Sequence, residues 1–224
     1  QSGMKTLTIP ETVTKISPYA FNNCNQLHTL TYPIQPIETT PDIFTGCTSM
    51  NKIIINGNGA MQDYKTKEQP WNAVKNQILS IEITEGITVI GTYAFEETTN
   101  LKTIEWTKVE EIKEGAFISS GIVELNLTTS MTTIESKAFS NCVNLEIVNY
   151  PTSITKSTND IFNGCDKFVT LNIIGKGNME EYSKDNQPWN YAKTKITTVT
   201  IGSEVEKIGN YSFQGLSKIE TITI

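Results

Sequence analysis

Residues 27–32 read Leu27-His28-Thr29-Leu30-Thr31-Tyr32, with apolar side chains at the first, fourth and sixth places. Thr29 and Thr31 alternate with the apolar residues, the period-two pattern of a short strand with one buried face. Working outward, the same triplet recurs upstream as Met4/Leu7/Ile9 and downstream as Met50/Ile53/Ile55, Ile78/Ile81/Ile83 and Leu101/Ile104/Trp106. It continues as Ile122/Leu125/Leu127, Leu145/Val148/Tyr150, Phe168/Leu171/Ile173, Ile196/Val199/Ile201 and Ile219/Ile222/Ile224, ten occurrences in all. A strand that returns every 20–29 residues predicts a solenoid, in which each coil packs only on its neighbours.

The steps between triplets carry a second order. They are 23, 23, 28, 23 and 21 residues, and then 23, 23, 28 and 23. The series restarts after 118 residues, and positions 118 apart are identical at roughly a third of sites. Phe21 matches Phe139, Cys24 matches Cys142, Trp71 matches Trp189 and Phe95 matches Phe213. This reads as a duplicated five-coil block, with halves at about 4–121 and 122–224 of a single domain spanning 4–224. Gln1, Ser2 and Gly3 stand outside the repeat and read as a cloning remnant. Neither end carries an atypical capping coil, so a piece of a longer protein is expected. The strand at Ile219–Ile224 is an edge open to self-association through the solenoid end.

Each coil carries a second apolar signal opposite the triplet: Val13/Ile16, Ile87/Ile90, Val109/Ile112, Met131/Ile134 and Val205/Ile208. A turn is expected at Tyr32-Pro33, between the two walls. A small residue and a phenylalanine follow the second signal, as in Ala20-Phe21, Ala94-Phe95, Ala116-Phe117, Ala138-Phe139 and Ser212-Phe213. The Phe fills the space between walls and should hold about 3–5 kcal/mol against truncation to Ala. Ten strands about 4.8 Å apart give a rod roughly 45 Å long. The two 28-residue coils contain Gly57-Asn58-Gly59-Ala60-Met61, Tyr64 and Pro70-Trp71-Asn72, copied as Gly175-Lys176-Gly177-Asn178-Met179, Tyr182 and Pro188-Trp189-Asn190. Pro at a helix start predicts short helices from Pro70 to about Gln77 and from Pro188 to about Lys195.

These motifs resemble the BspA-type leucine-rich repeat. The resemblance is carried by Ile9-Pro10, Val13-Thr14-Lys15-Ile16, Ala20-Phe21, Cys24, Leu27 and Leu30, and again by Ile87 to Phe95. The Gly-x-Gly-x-Met, Tyr and Pro-Trp elements of the long coils are similar to ones common in that family. Thr98, Ser120 and Leu216 stand where the pattern has Cys. The resemblance implies a β-rich leucine-rich-repeat solenoid, an α/β superhelix of about ten stacked coils. A curved parallel sheet would line its concave face, with short helices in the two long coils. It also implies a cell-surface or secreted microbial protein linked to adhesion to host cells, matrix or other microbes.

Composition narrows the function. Net charge is −6 and every cation is Lys, so no basic stripe exists for a nucleic acid. No apolar run of 18 residues spans a membrane, so no direct membrane insertion is expected of this stretch. No charged-then-apolar leader opens the chain, so a signal peptide is absent or removed. The Gly-x-Gly turns lack the rest of a phosphate-binding loop, and a structural turn is the simpler reading. Cys24/Cys47 and Cys142/Cys165 stand on adjacent coils, within reach of disulfides, but read as buried free thiols filling the core. His28 is the only histidine and no Cys-x-x-Cys occurs, so neither zinc nor any other metal or cofactor is expected.

No catalytic residues are assigned. Glu82, Glu105 and Glu124 leave three successive strands on the presumed concave face, and read as a solvated acidic patch. The outward strand positions form two rows. Thr29, Thr31, Lys52, Ile54, Glu82, Thr103, Glu105, Glu124, Asn126, Ile147 and Asn149 are the candidate binding residues for a protein or glycoprotein partner. Asn126-Leu127-Thr128 and Asn210-Tyr211-Ser212 match the glycosylation sequon. The expected function is noncatalytic recognition, and the alternative is a structural spacer or self-associating coat element.

Overall fold

The structure, a computed structural model, describes residues 3–224, and Gln1 and Ser2 of the expected remnant lie outside it. In chain order the first half holds β1 (Thr6–Thr8), β2 (Thr29–Pro33), β3 (Lys52–Asn56), β4 (Gly59–Ala60), β5 (Ser80–Ile83), β6 (Ile87–Ile90), β7 (Thr103–Glu105) and β8 (Glu111–Ile112). The second half holds β9 (Glu124–Asn126), β10 (Thr133–Ile134), β11 (Ile147–Pro151), β12 (Lys156–Ser157), β13 (Thr170–Ile174), β14 (Gly177–Asn178), β15 (Thr198–Ile201), β16 (Val205–Lys207) and β17 (Thr221–Thr223). One strand of each coil builds the concave wall, in sheets ordered β1-β2-β3-β5-β7 and β17-β15-β13-β11-β9. Most of the short strands build the opposite wall, ordered β12-β10-β8-β6-β4, with β14-β16 beyond. The pairing is parallel, as one-directional winding requires. Ten concave strands enclose nine complete turns, so the expected ten coils count strands and not closed turns.

Register follows the triplet. Leu7, Leu30, Ile53, Ile81 and Ile104 align in one row, and Leu125, Val148, Leu171, Val199 and Ile222 in another. Away from the end coils these side chains are largely or fully withdrawn from water, and they join one continuous core. The strands β2 and β11 run through Pro33 and Pro151, so the turn comes one residue later than the sequence implies. Proline is tolerated there because it sits at the last strand position.

Between the walls runs a ladder of rings: Phe21 on Phe44, then Trp71, Phe95, Phe117, Phe139 and Phe162, then Trp189 on Phe213. Stacked centroids are 5.2 to 6.2 Å apart. In the long coils tryptophan takes the phenylalanine rung. Its indole N–H donates to the next coil, from Trp71 to the Ala94 carbonyl at 2.9 Å and from Trp189 to the Ser212 carbonyl at 2.7 Å. In ordinary coils the backbone makes the equivalent bond, as from Phe95 N to the Ala116 carbonyl at 2.7 Å.

The expected helices are shorter and tighter than predicted. Asn72–Gln77 and Asn190–Ala192 are 3-10 segments that start two residues after the prolines. Trp71 and Trp189 occupy the cap positions, and their side chains offer the helix no hydrogen bond. Without a side-chain cap or more than two turns, the tighter i→i+3 form prevails. Ile208, assigned to the second wall, is 44% exposed in the last turn.

The four cysteines are free and buried. The thiols of Cys47, Cys142 and Cys165 donate to the carbonyls of Phe21, Phe117 and Phe139 at 3.1 to 3.3 Å. Thr98, at the same place in its coil, donates to the Phe95 carbonyl at 2.8 Å. Ser120 instead lies 3.2 Å from the Cys142 thiol, and Leu216 fills the same place with an apolar side chain, so the site takes a small donor or an apolar filler.

Candidate functional site

The concave wall arises because β-branched and amide side chains alternate with the core triplets. Its two outward rows run in register up to β7. One places Thr29, Lys52, Ser80 and Thr103 side by side, and the other Thr31, Ile54, Glu82 and Glu105. Beyond β9 the rows resume as Glu124, Ile147 and Thr170, and as Asn126, Asn149 and Asn172. Thr29, Thr31, Lys52, Ile54, Glu82, Ile147 and Asn149 are half-buried by their neighbours, whereas Thr103, Glu105, Glu124 and Asn126 are exposed. Between its two end strands, the wall is therefore most open at its centre.

Two groups of these residues spend their polarity on each other. Lys52 pairs with Glu82 at 2.6 Å, and that hydrogen bond holds the Lys52 ammonium above its usual range. The amide of Asn149 donates to Asn126, and the amide of Asn172 donates to Asn149 at 2.8 Å, a ladder across β9, β11 and β13. Asn149 also lies 3.3 Å from Glu124. Glu105 forms no ion pair among the described residues. His28 lies exposed, away from these carboxylates in the fold.

Sequence reasoning missed the feature at the centre. β7 and β9 are not paired, although they belong to consecutive coils. Trp106 stands where its neighbours carry Ile or Leu, and its indole donates to the Asn126 carbonyl at 2.8 Å. The cause lies in the 21-residue step. Trp106 to Val109 spans three residues where Leu127 to Met131 spans four, and Phe117 to Ile122 spans five where Phe95 to Leu101 spans six. Both connections of this coil are one residue short. Gly121 completes the tight passage, since a Cβ there would meet the Thr99 carbonyl oxygen at 2.0 Å. The result is a cleft of about 290 Å³ between the two strands, lined by Lys102, Ile104, Glu105, Trp106, Glu124 and Asn126.

Burial pushes the Cys47 thiol up, and a hydrogen bond with the free Cys142 thiol together with burial raises that of Cys165, so neither is a thiolate nucleophile. Among the described residues no group of three His, Cys, Asp or Glu side chains could hold a metal ion. Among them, too, no helix is long and apolar enough to cross a membrane.

A family model described as the BspA type leucine rich repeat region matches in 6 copies, over residues 1–65, 73–187 and 184–224. No curated protein is similar enough to match the sequence. Similar solved structures include a leucine-rich repeat protein from Eubacterium ventriosum, 16% identical over 77% of this chain and 67% of that one, with a TM-score of 0.48. The leucine-rich repeat protein of T. pallidum is 16% identical over 98% of this chain and 79% of that one, with a TM-score of 0.41. The pneumococcal vaccine antigen PcpA is 16% identical over 98% of this chain and 65% of that one, with a TM-score of 0.41.

Proposed function

The chain belongs to the BspA-type leucine-rich repeat family, and from that premise we propose that it is a noncatalytic protein-recognition scaffold of a microbial cell-surface or secreted protein. Its task in this reading is adhesion to host cells, matrix or other microbes. The observation that carries the proposal is the concave wall, where registered rows rich in Thr, Asn and Glu on two successive sheets present a largely polar surface with carboxylates at its open centre. A solenoid offers such a surface because its core is satisfied coil by coil and its outward positions are free to vary. The partner is a protein or glycoprotein with basic groups facing Glu105 and Glu124, beside the Lys52–Glu82 pair. Low affinity per contact would be multiplied along a long array.

The test is binding of the chain to host cells and matrix proteins, with Glu82, Glu105 and Glu124 all replaced by Lys in a variant. We expect at least about a tenfold loss for a verified partner. Unchanged binding excludes the central acidic face.

A further inference from the structure

We infer that the cleft between β7 and β9 takes an extended, lysine- or arginine-bearing segment of a partner protein, held by main-chain hydrogen bonds to the two open strand edges. The inference rests on the recognition reading above and gives that partner a chemistry and a place.

The first argument is the hydrogen-bonding valence of the edges. In the paired coils, Ile9 N donates to the Thr31 carbonyl of the following strand, and Leu127 N to the Asn149 carbonyl. Thr29 N, in the other row, points back and donates to the Lys5 carbonyl. By this alternation the peptide groups of Ile104 face β9, and those of Glu124 and Asn126 face β7. The Trp106 indole satisfies the Asn126 carbonyl. The peptide groups of Ile104 and Glu124 have no strand opposite them. An extended chain presents donors and acceptors in the alternation such edges require.

The second argument is shape. The cleft of about 290 Å³ continues past Gly121 and Val123 into a second hollow of about 410 Å³, with Lys102 and Glu124 common to both. The groove so formed follows the strand direction. Val123, 45% exposed, gives it an apolar shoulder.

The third argument is charge. Glu105 and Glu124 stand exposed on opposite lips, with Lys102 the one cation lining the cleft. Glu82, one strand away, is already neutralised by Lys52. A cationic side chain projecting from the bound strand meets two carboxylates at close range, and an anionic one is repelled.

The experiment titrates the isotope-labelled chain with a capped peptide of alternating threonine and lysine, about eight residues long, at physiological salt. Amide shifts should concentrate at Ile104, Trp106, Glu124 and Asn126 and at the Trp106 indole N–H. Replacing Glu105 and Glu124 together by Lys should weaken the peptide at least about tenfold without lowering the unfolding temperature. A copy of the peptide methylated on alternate backbone nitrogens keeps its charge and should lose a similar factor. Shifts spread over β13 or β10, or equal affinity for the methylated copy, overturn the inference. If the triple reversal abolishes capture of a verified partner while the peptide leaves Ile104 and Glu124 unmoved, the cleft is wrong and the recognition reading stands. If the peptide fills the cleft but no cell or matrix protein binds the chain, the recognition reading falls alone.

Discussion

Many coils here force an L-residue into the left-handed region. Tyr93, Ser119, Lys137 and Asn141 have φ of 51°, 59°, 58° and 58°, whereas Gly115, at the position equivalent to Lys137, has φ of 58° without a Cβ to strain. Lys137 is exposed and its ammonium forms no ion pair among the described residues. Lys137→Gly should therefore stabilise the chain by about 0.5–1 kcal/mol, the strain relieved less the entropy added to the unfolded state. Urea unfolding would measure it. The buried end of Lys75 lies 2.6 Å from Glu97, and that bond holds the Glu97 carboxyl below its ordinary range. The folded value lies below the unfolded one, so this contribution is present above about pH 4.3 and fades as pH falls through the folded value. Glu97→Gln should cost less than about 1 kcal/mol at neutral pH, because Glu97 is 42% exposed, and the deficit should shrink as pH falls below about 4.3. The Cys pairs support a simpler measurement: four thiols titrate in denaturant, and the native chain reacts only as fast as it opens.

At the scale of elements, the ring ladder and the strand wall fall to different degrees within reach of sequence. The triplets located every concave strand, because the alternation of buried and exposed side chains is a direct consequence of strand geometry. The recurrent Ala-Phe pairs likewise located their rungs. The rungs at Trp71 and Trp189 are not legible in the sequence, since a Pro-Trp motif in a longer coil does not reveal that the indole replaces both a phenyl ring and a backbone donor. The 3-10 segments were overextended for a related reason: proline marks a start, but the missing cap decides the length. Trp71→Phe should keep the stack on Phe95 and leave the Ala94 carbonyl without its donor, a loss of about 1–3 kcal/mol. Phe117→Ala should cost about 3–5 kcal/mol, because its ring touches Phe95, Trp106 and Phe139. Thermal or urea unfolding of both variants would rank them.

For the whole molecule, the 21-residue step was visible in the sequence, but only as a restart of the repeat. Two absent residues do not announce that a sheet will part, because parting depends on which wall absorbs the shortfall. The candidate rows of Thr, Asn and Glu were likewise legible, while the cleft that separates Glu105 from Glu124 was not. The amides of Ile104 and Glu124 should exchange with solvent faster than those of Leu30 and Val148, which lie inside paired strands. Hydrogen exchange would show this directly. The interruptions in the two walls are staggered along the axis. Where β7 and β9 part, the opposite wall stays joined through β8 and β10, and Phe117 stacks on Phe139 at 5°. Where the opposite wall parts between β12 and β14, β11, β13 and β15 remain paired. In the language of fracture, a tear started on one side meets an intact seam on the other and stops. Pulled from its ends, such a chain should yield first by gaping at its middle, like a stiff hinge, before any coil is stripped away.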